Sequence, residues 1–108
     1  MRYKVVVTDN AKQNLREYYL RASESAPETA AIWLDRFYES LKSLGLHPER
    51  CQLAPENNSV VPVIRQYLFG KRAGCYRVLF TVDGEEVQIL HVRRAARSLA
   101  TEEDLFDR

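Results

Sequence analysis

The sequence predicts an α+β fold in one domain, residues 1–108, with an antiparallel sheet covered on one face by an α-helical hairpin. Alternating hydrophobic residues indicate one strand at the start of the chain and three strands in its second half. Between them, two stretches repeat hydrophobic residues at helical spacing, which gives the order β-α-α-β-β-β. A chain of 108 residues with 45% hydrophobic and 29% charged residues has the size and composition of a single globular domain.

The helical hairpin is predicted from the sequence that follows a first strand at residues 2–8. Thr8 or Asp9 can cap the first helix, because a short side-chain oxygen accepts a hydrogen bond from a free backbone amide of the first turn. Pro27 suits the first turn of the second helix, and Gly45 is predicted to end it in a left-handed conformation. Each helix has one hydrophobic stripe, which we interpret as core: Ala11, Leu15, Tyr18, Tyr19 and Ala22, then Ala30, Trp33, Leu34, Phe37, Leu41 and Leu44.

Three strands are predicted at residues 61–69, 75–82 and 86–92, after an irregular stretch at 46–61. Asp83-Gly84 is a strong signal for a tight turn between the last two strands, so the three form a meander, and the first strand joins its edge. Residues 76, 78, 80 and 82 should face the helices, and Arg77 should then project from the other face. We expect that other face to be open, with Arg65, Arg77 and Arg94 exposed together on it for an anionic partner. The acidic tail after residue 98 should be a short segment that can be helical.

Composition argues against several classes of protein. The two cysteines and two histidines show no metal-ligand spacing, so we expect no metal and no cofactor. Hydrophobic runs all fall short of the roughly 18 residues that a membrane span requires. The N-terminus lacks a signal-peptide pattern, so the expected location is the cytoplasm, without a membrane partner.

Positive charge is concentrated in the second half of the chain, although the net charge is only +1. Residues 59–97 contain seven basic and three acidic side chains, and six of the seven are arginines, which favour bidentate recognition of anions. A solvated surface is the alternative interpretation; Arg77, for example, can simply pair with Glu85 or Glu86 across a hairpin. The candidate binding residues are Arg65, Lys71, Arg72, Arg77, Arg93, Arg94 and Arg97.

Three segments in order resemble the RelE/ParE superfamily of bacterial type II toxins. They are the opening YKVVVTDNAKQNLREYY, the helix with Trp33, Phe37 and Leu41 that ends in LKSLGLHP, and the block VIRQYLFGKRAGCYRVLFTVDGEEVQILHVRR. Together they span residues 3–94. Each motif is short, so their order and spacing carry the resemblance.

The resemblance implies one of two activities. ParE-like members are binding proteins that inhibit DNA gyrase, are neutralised by a cognate antitoxin and are associated with plasmid stabilization. RelE-like members are ribosome-dependent endoribonucleases that cut mRNA, with cationic residues at the scissile phosphate and a group that moves protons. In this chain the ribonuclease set would be Arg65, Arg77, His91 and Arg94.

The C-terminus favours the ParE-like branch. RelE-like enzymes place a Tyr or His after the last strand, whereas this chain ends in RSLATEEDLFDR. We therefore predict a toxin that blocks growth by binding, keep the ribonuclease as the alternative, and assign no catalytic residue. A histidine near the end of a strand, such as His91, is more often a hydrogen-bonded structural residue than a catalyst. An inert interaction domain on the same fold is the third hypothesis.

Overall fold

The computed structural model describes residues 2–58, 62–70, 74–96 and 99–106 of the chain. Its helices and strands follow the predicted order, and the tail forms the short helix that its sequence allowed. The strands are β1 (Lys4–Val7), β2 (Arg65–Phe69), β3 (Tyr76–Asp83) and β4 (Glu86–Arg94), and the helices are α1 (Asp9–Ser23), α2 (Pro27–Lys42) and α3 (Glu102–Phe106). The predicted α+β class is confirmed.

The helices begin where the sequence predicted, but α2 ends differently. Thr8 caps α1 by accepting a hydrogen bond from the Ala11 amide, and Pro27 occupies the first turn of α2. The predicted left-handed C-cap at Gly45 is wrong, because α2 ends at Lys42 and continues as a 3-10 turn over Ser43–Gly45. Gly45 is needed for another reason: a Cβ there would lie 2.9 Å from the Tyr3 carbonyl oxygen. The glycines with positive φ among the described residues are Gly70 and Gly84.

The sheet is mixed, with strand order β1-β4-β3-β2. The meander β2-β3-β4 is antiparallel as predicted, and the first strand does join its edge. The expectation of a wholly antiparallel sheet is wrong, because β1 pairs with β4 in parallel. The helical hairpin and the irregular stretch after it return the chain to the end where β1 began, so β1, β2 and β4 share one direction. The predicted strand at 61–69 begins only at Arg65; residue 61 lies outside the described residues.

One face of the sheet packs against the helical hairpin, and we call it the helical face. Its core joins residues of α1 and α2 to β3 and β4: Ala11, Leu15, Phe37, Leu41, Leu44, Val78, Phe80, Val87, Ile89 and Val92. Tyr76 and Val82 pack at the margin of this core, so the predicted alternation of β3 is confirmed. Most of the helical stripe is core, as the sequence predicted.

The opposite face, which we call the far face, is covered as well. The prediction of an open sheet face is therefore wrong. A second core lies there, formed by Leu79 and Leu90 of the sheet with residues of the irregular stretch and the tail: Ala54, Ile64, Ala100 and Leu105. The physical reason is that an open far face would leave two large leucines of the central strands in water, at a cost of roughly 1.5–3 kcal/mol each.

A β-bulge decides which side chains of β4 reach the far face. The register between β3 and β4 shifts between Leu79 and Phe80, so that Leu79 lies opposite His91 whereas Phe80 lies opposite Ile89. Leu90 is the extra residue of the bulge. Beyond it His91 and Arg93 lie on the same face as Leu79, since directly opposite residues of an antiparallel pair share a face.

Candidate functional site

The predicted arginine site is divided between the two faces of the sheet. Arg77 of β3 lies opposite Arg93 of β4 on the far face. Arg65 lies opposite Phe80, and Arg94 lies opposite Tyr76, which places both on the helical face. The expectation that Arg65, Arg77 and Arg94 share one exposed surface is wrong, because the register gives Arg77 the opposite orientation.

Arg77 is buried and bound by side chains of the protein itself. It is 7% exposed, and the carboxylate beside it, Glu56, is 1% exposed. Its Nη1 donates to Glu56 Oε1 and to Gln66 Oε1, both at 3.0 Å, while Nη2 donates to Glu56 Oε2 at 2.5 Å. Such a two-pronged guanidinium–carboxylate pair is among the strongest hydrogen-bonded contacts in proteins. The partner is not Glu85 or Glu86 but a residue of the irregular stretch.

Glu56 also binds the tail of the chain. The Ala100 amide donates to Glu56 Oε2 at 2.8 Å, so this one carboxylate links β3 to the segment after β4. Burial alone raises the pKa of a carboxyl, but the hydrogen bonds from Arg77 and from the Ala100 backbone outweigh it and lower the pKa of Glu56 to about 2. Glu56 is therefore ionised throughout the physiological range, and it neutralises Arg77.

A second ion pair holds the tail through α3. Arg93 is 3% exposed and donates from Nη1 to Asp104 Oδ2 at 3.1 Å. Asp104 also caps the start of α3, since its Oδ2 accepts from the Thr101 amide at 2.9 Å. Asn10 of α1 donates to the carbonyls of both Asp104 and Leu90, at 2.7 and 2.8 Å. Residues 99–106 are thus fastened to the far face by side chains from three elements.

Arg65 and Arg94 have different surroundings from Arg77. Arg65 is partly exposed and donates to the backbone carbonyls of Cys51 at 2.7 Å and Glu49 at 3.4 Å. Arg94 is exposed, and its guanidinium carbon lies 5.8 Å from the centre of the Tyr76 ring. Lys71, Arg72 and Arg97 lie outside the described residues, so their predicted role keeps the status of a sequence-based prediction.

The four residues of the ribonuclease alternative do not form a cluster. His91 is 7% exposed and lies on the far face beside Leu79, together with Arg77, whereas Arg65 and Arg94 are on the helical face. Neutralising the charge of a reacting phosphate requires cationic groups that converge on it and can release their other partners. Arg77 is not available for this role, since both of its terminal nitrogens are bound to protein oxygens.

The structure also contains a pocket that the sequence interpretation missed. It has a volume of about 220 Å³ and lies between the end of α1 and the start of α2, with Tyr76 of β3 in its lining; the other lining residues are Tyr18, Ala22, Ala26, Thr29, Ala30 and Trp33. The sequence assigned Tyr18 and Trp33 to the core, yet both are only half buried. The missed signal was the run of small residues at 22, 26 and 30, which leaves the aromatic rings uncovered.

Other site classes find no support in the part of the chain that the structure describes. There, His, Cys, Asp and Glu side chains do not gather in a group of three or more that could hold a metal ion. Nor does any described helix combine the length and hydrophobicity needed to cross a bilayer.

The fold defines a class of protein. It is a small α+β domain with a helical hairpin on a four-stranded sheet, and its basic residues are concentrated in the last strands. The family model described as the ParE toxin of type II toxin–antitoxin system, parDE, matches residues 5–99. Because this match covers most of the chain, the protein belongs to the ParE toxin family of type II toxin–antitoxin systems. The predicted resemblance and its ParE-like branch are confirmed.

A solved structure supports the same assignment. The structure described as "Chromosomal ParDE TA system from P. aeruginosa" is similar to this chain with a TM-score of 0.69 and 25% sequence identity. The similarity covers 85% of this chain and 95% of that chain. The comparison with curated proteins gives no match.

Proposed function

We propose that this ParE-family toxin blocks growth by binding its target in the cytoplasm rather than by catalysis, and that the target is DNA gyrase. The observation that carries the proposal is the state of Arg77. In a ribonuclease this strand arginine would hold the scissile phosphate, but here it is 7% exposed and paired with Glu56. Freeing it would leave an unpaired carboxylate in a buried site, which costs several kcal/mol.

Gyrase as the target rests on the family to which the chain belongs. ParE-like members of the superfamily inhibit gyrase as binding proteins, and the family model extends over residues 5–99. A binding mode needs an exposed surface rather than a reaction centre, and among the described arginines of the strands Arg94 and Arg65 have exposed or partly exposed side chains.

A cognate antitoxin is the second proposed partner. The similar structure from P. aeruginosa is a ParDE toxin–antitoxin system, and we extend that pairing to this chain. The antitoxin would neutralise the toxin by covering part of its surface. Of the predicted binding residues, Arg94 and Arg65 are the described ones with exposed or partly exposed side chains, so they are the candidates for contact with a partner. Arg77 and Arg93 instead position Glu56 and the tail.

Controlled expression in a bacterial host tests the function. We expect growth to stop on induction, and growth to be restored when the neighbouring gene is expressed as well. Cells should accumulate gyrase-dependent DNA breaks while their mRNA stays intact. Arrest accompanied by mRNA cleavage on translating ribosomes would contradict the proposal and support the ribonuclease.

A pair of variants sharpens that test. Arg94→Glu reverses an exposed charge at the end of β4. Arg36→Glu reverses an exposed charge on α2 and serves as the control. We expect Arg94→Glu to weaken toxicity or neutralisation and Arg36→Glu to leave both unchanged. If charge reversal at Arg65 and Arg94 has no effect on either, these arginines are not the binding residues.

A further inference from the structure

The pocket between the two helices has a largely aromatic wall. Tyr18, Trp33 and Tyr76 form its aromatic part, with ring centroids 5.1 Å apart for Tyr18–Tyr76 and 5.4 Å apart for Trp33–Tyr76. Trp33 and Tyr76 also contact the ring of Phe37, which is fully buried, so packing against the core fixes the position of both rings. A rigid aromatic surface loses little conformational entropy when it binds a partner.

The size of the pocket restricts its occupant. Pockets for drug-sized ligands or cofactors measure about 300–1,000 Å³, whereas this one measures about 220 Å³. Its lining is mostly apolar, and the small residues Ala22 and Ala26 lie where larger side chains would close it. One large apolar side chain, presented by a partner protein, fits these dimensions better than a free metabolite.

The charge around the pocket indicates what should flank that side chain. Burial raises the pKa of the Tyr76 phenol, and two guanidinium groups, of Arg94 and Arg21, oppose the rise. The neighbouring Tyr18 phenol acts in the opposite sense, so Arg94 and Arg21 are the cations that act on the Tyr76 phenol. Arg94 also lies over the Tyr76 ring, and Arg21 belongs to the last turn of α1, beside Ala22 of the lining. A partner with a carboxylate next to its apolar side chain would be complementary.

We propose that this pocket receives one large apolar side chain from an acidic segment of the antitoxin, with a neighbouring carboxylate on Arg21 or Arg94. The inference rests on the proposed function, since it requires an antitoxin, but it names a site that the function alone does not. The side chain would act as an anchor in the centre of the interface, because buried anchors in well-formed pockets contribute most of the binding energy.

Two variants test the site without disturbing the core, and each has a matched control. Ala22→Phe places a ring in the pocket from an exposed position, and Ala31→Phe adds the same ring at an exposed position of α2 outside the lining. Arg21→Glu reverses the charge at the rim, and Arg16→Glu does so elsewhere on α1. Circular dichroism and thermal melts establish that the four variants are folded.

The measurement is the affinity of each purified variant for the protein encoded by the neighbouring gene. Ala22→Phe should raise the dissociation constant roughly 30-fold, the loss expected for a blocked anchor. Arg21→Glu should raise it about tenfold, with slower association. Ala31→Phe and Arg16→Glu should bind like the unmodified chain.

A spectroscopic readout locates the contact. Trp33 is the single tryptophan of the chain, so fluorine NMR of fluorotryptophan-labelled toxin reports on the pocket whatever the partner contains. Binding should shift the resonance. A tight complex whose affinity is unchanged in Ala22→Phe and Arg21→Glu, without a shift at Trp33, overturns the pocket assignment and leaves the proposed function intact. Growth arrest with no complex overturns both the pocket and the antitoxin.

Discussion

Replacing Glu56 by Gln is the perturbation that tests the far face most sharply. The substitution keeps the shape of the side chain and removes the charge that neutralises Arg77. Arg77 is only 7% exposed, so it would remain a buried, uncompensated cation. Removing one partner of a buried ion pair costs about 3–5 kcal/mol.

The pKa of Glu56 gives a second magnitude for the same contact. It falls from an ordinary value of 4.5 to about 2 on folding. At 1.36 kcal/mol per pH unit, this corresponds to about 3 kcal/mol of stability, in agreement with the first figure. Because the pKa is lower in the folded state, the contribution is complete above about pH 4.5 and disappears as the pH falls towards 2.

Urea unfolding of the wild-type and Glu56→Gln chains at a series of pH values measures both effects. The difference in free energy of unfolding should be about 3 kcal/mol at pH 7 and should shrink towards zero in strong acid. Glu39→Gln is the control, because Glu39 forms an exposed ion pair with Lys42 at 2.9 Å, and such pairs contribute under about 1 kcal/mol. A Glu56→Gln chain within about 1 kcal/mol of the wild type at every pH would refute the argument.

Three further predictions concern the tail and the backbone. Asp104→Asn should loosen residues 99–106 by weakening the bond from Arg93, which limited proteolysis of the tail would detect as faster cleavage. Hydrogen bonds from the Thr101 backbone and side chain and from Arg93 lower the pKa of Asp104, so wild-type protection should also weaken as the pH falls through the acidic range; unchanged cleavage would contradict both statements. Gly45→Ala should destabilise the fold by about 1–3 kcal/mol, because its Cβ would lie 2.9 Å from a carbonyl oxygen. Gly74→Ala, with open space around it, is the control, and equal effects of the two would count against the reasoning.

The helical face was predictable because its pattern is periodic. Residues three and four apart along α2, such as Phe37 and Leu41, identify a buried stripe without any tertiary information. The alternation of β3 likewise assigned Val78 and Phe80 to the same core. Both patterns arise from the geometry of a regular element.

The far face was not predictable by the same means. The residues that cover it belong to the irregular stretch and to the short tail. Ala54, Ile64 and Leu105 do not follow the regular sequence spacing of one helix or strand. The β-bulge at Leu90 then moves the side chains of β4 after it by one position, which no alternation pattern shows. Glu56, in a stretch read only as loop, supplies the buried charge that makes Arg77 structural.

Titration of purified gyrase with the purified toxin tests most directly whether the toxin acts by binding. DNA supercoiling should decline in proportion to added toxin, reach its minimum near one toxin per binding site, and recover when the antitoxin is added. Unimpaired supercoiling at a large excess of folded toxin, together with mRNA cleavage by traces of toxin on translating ribosomes, would contradict the claim.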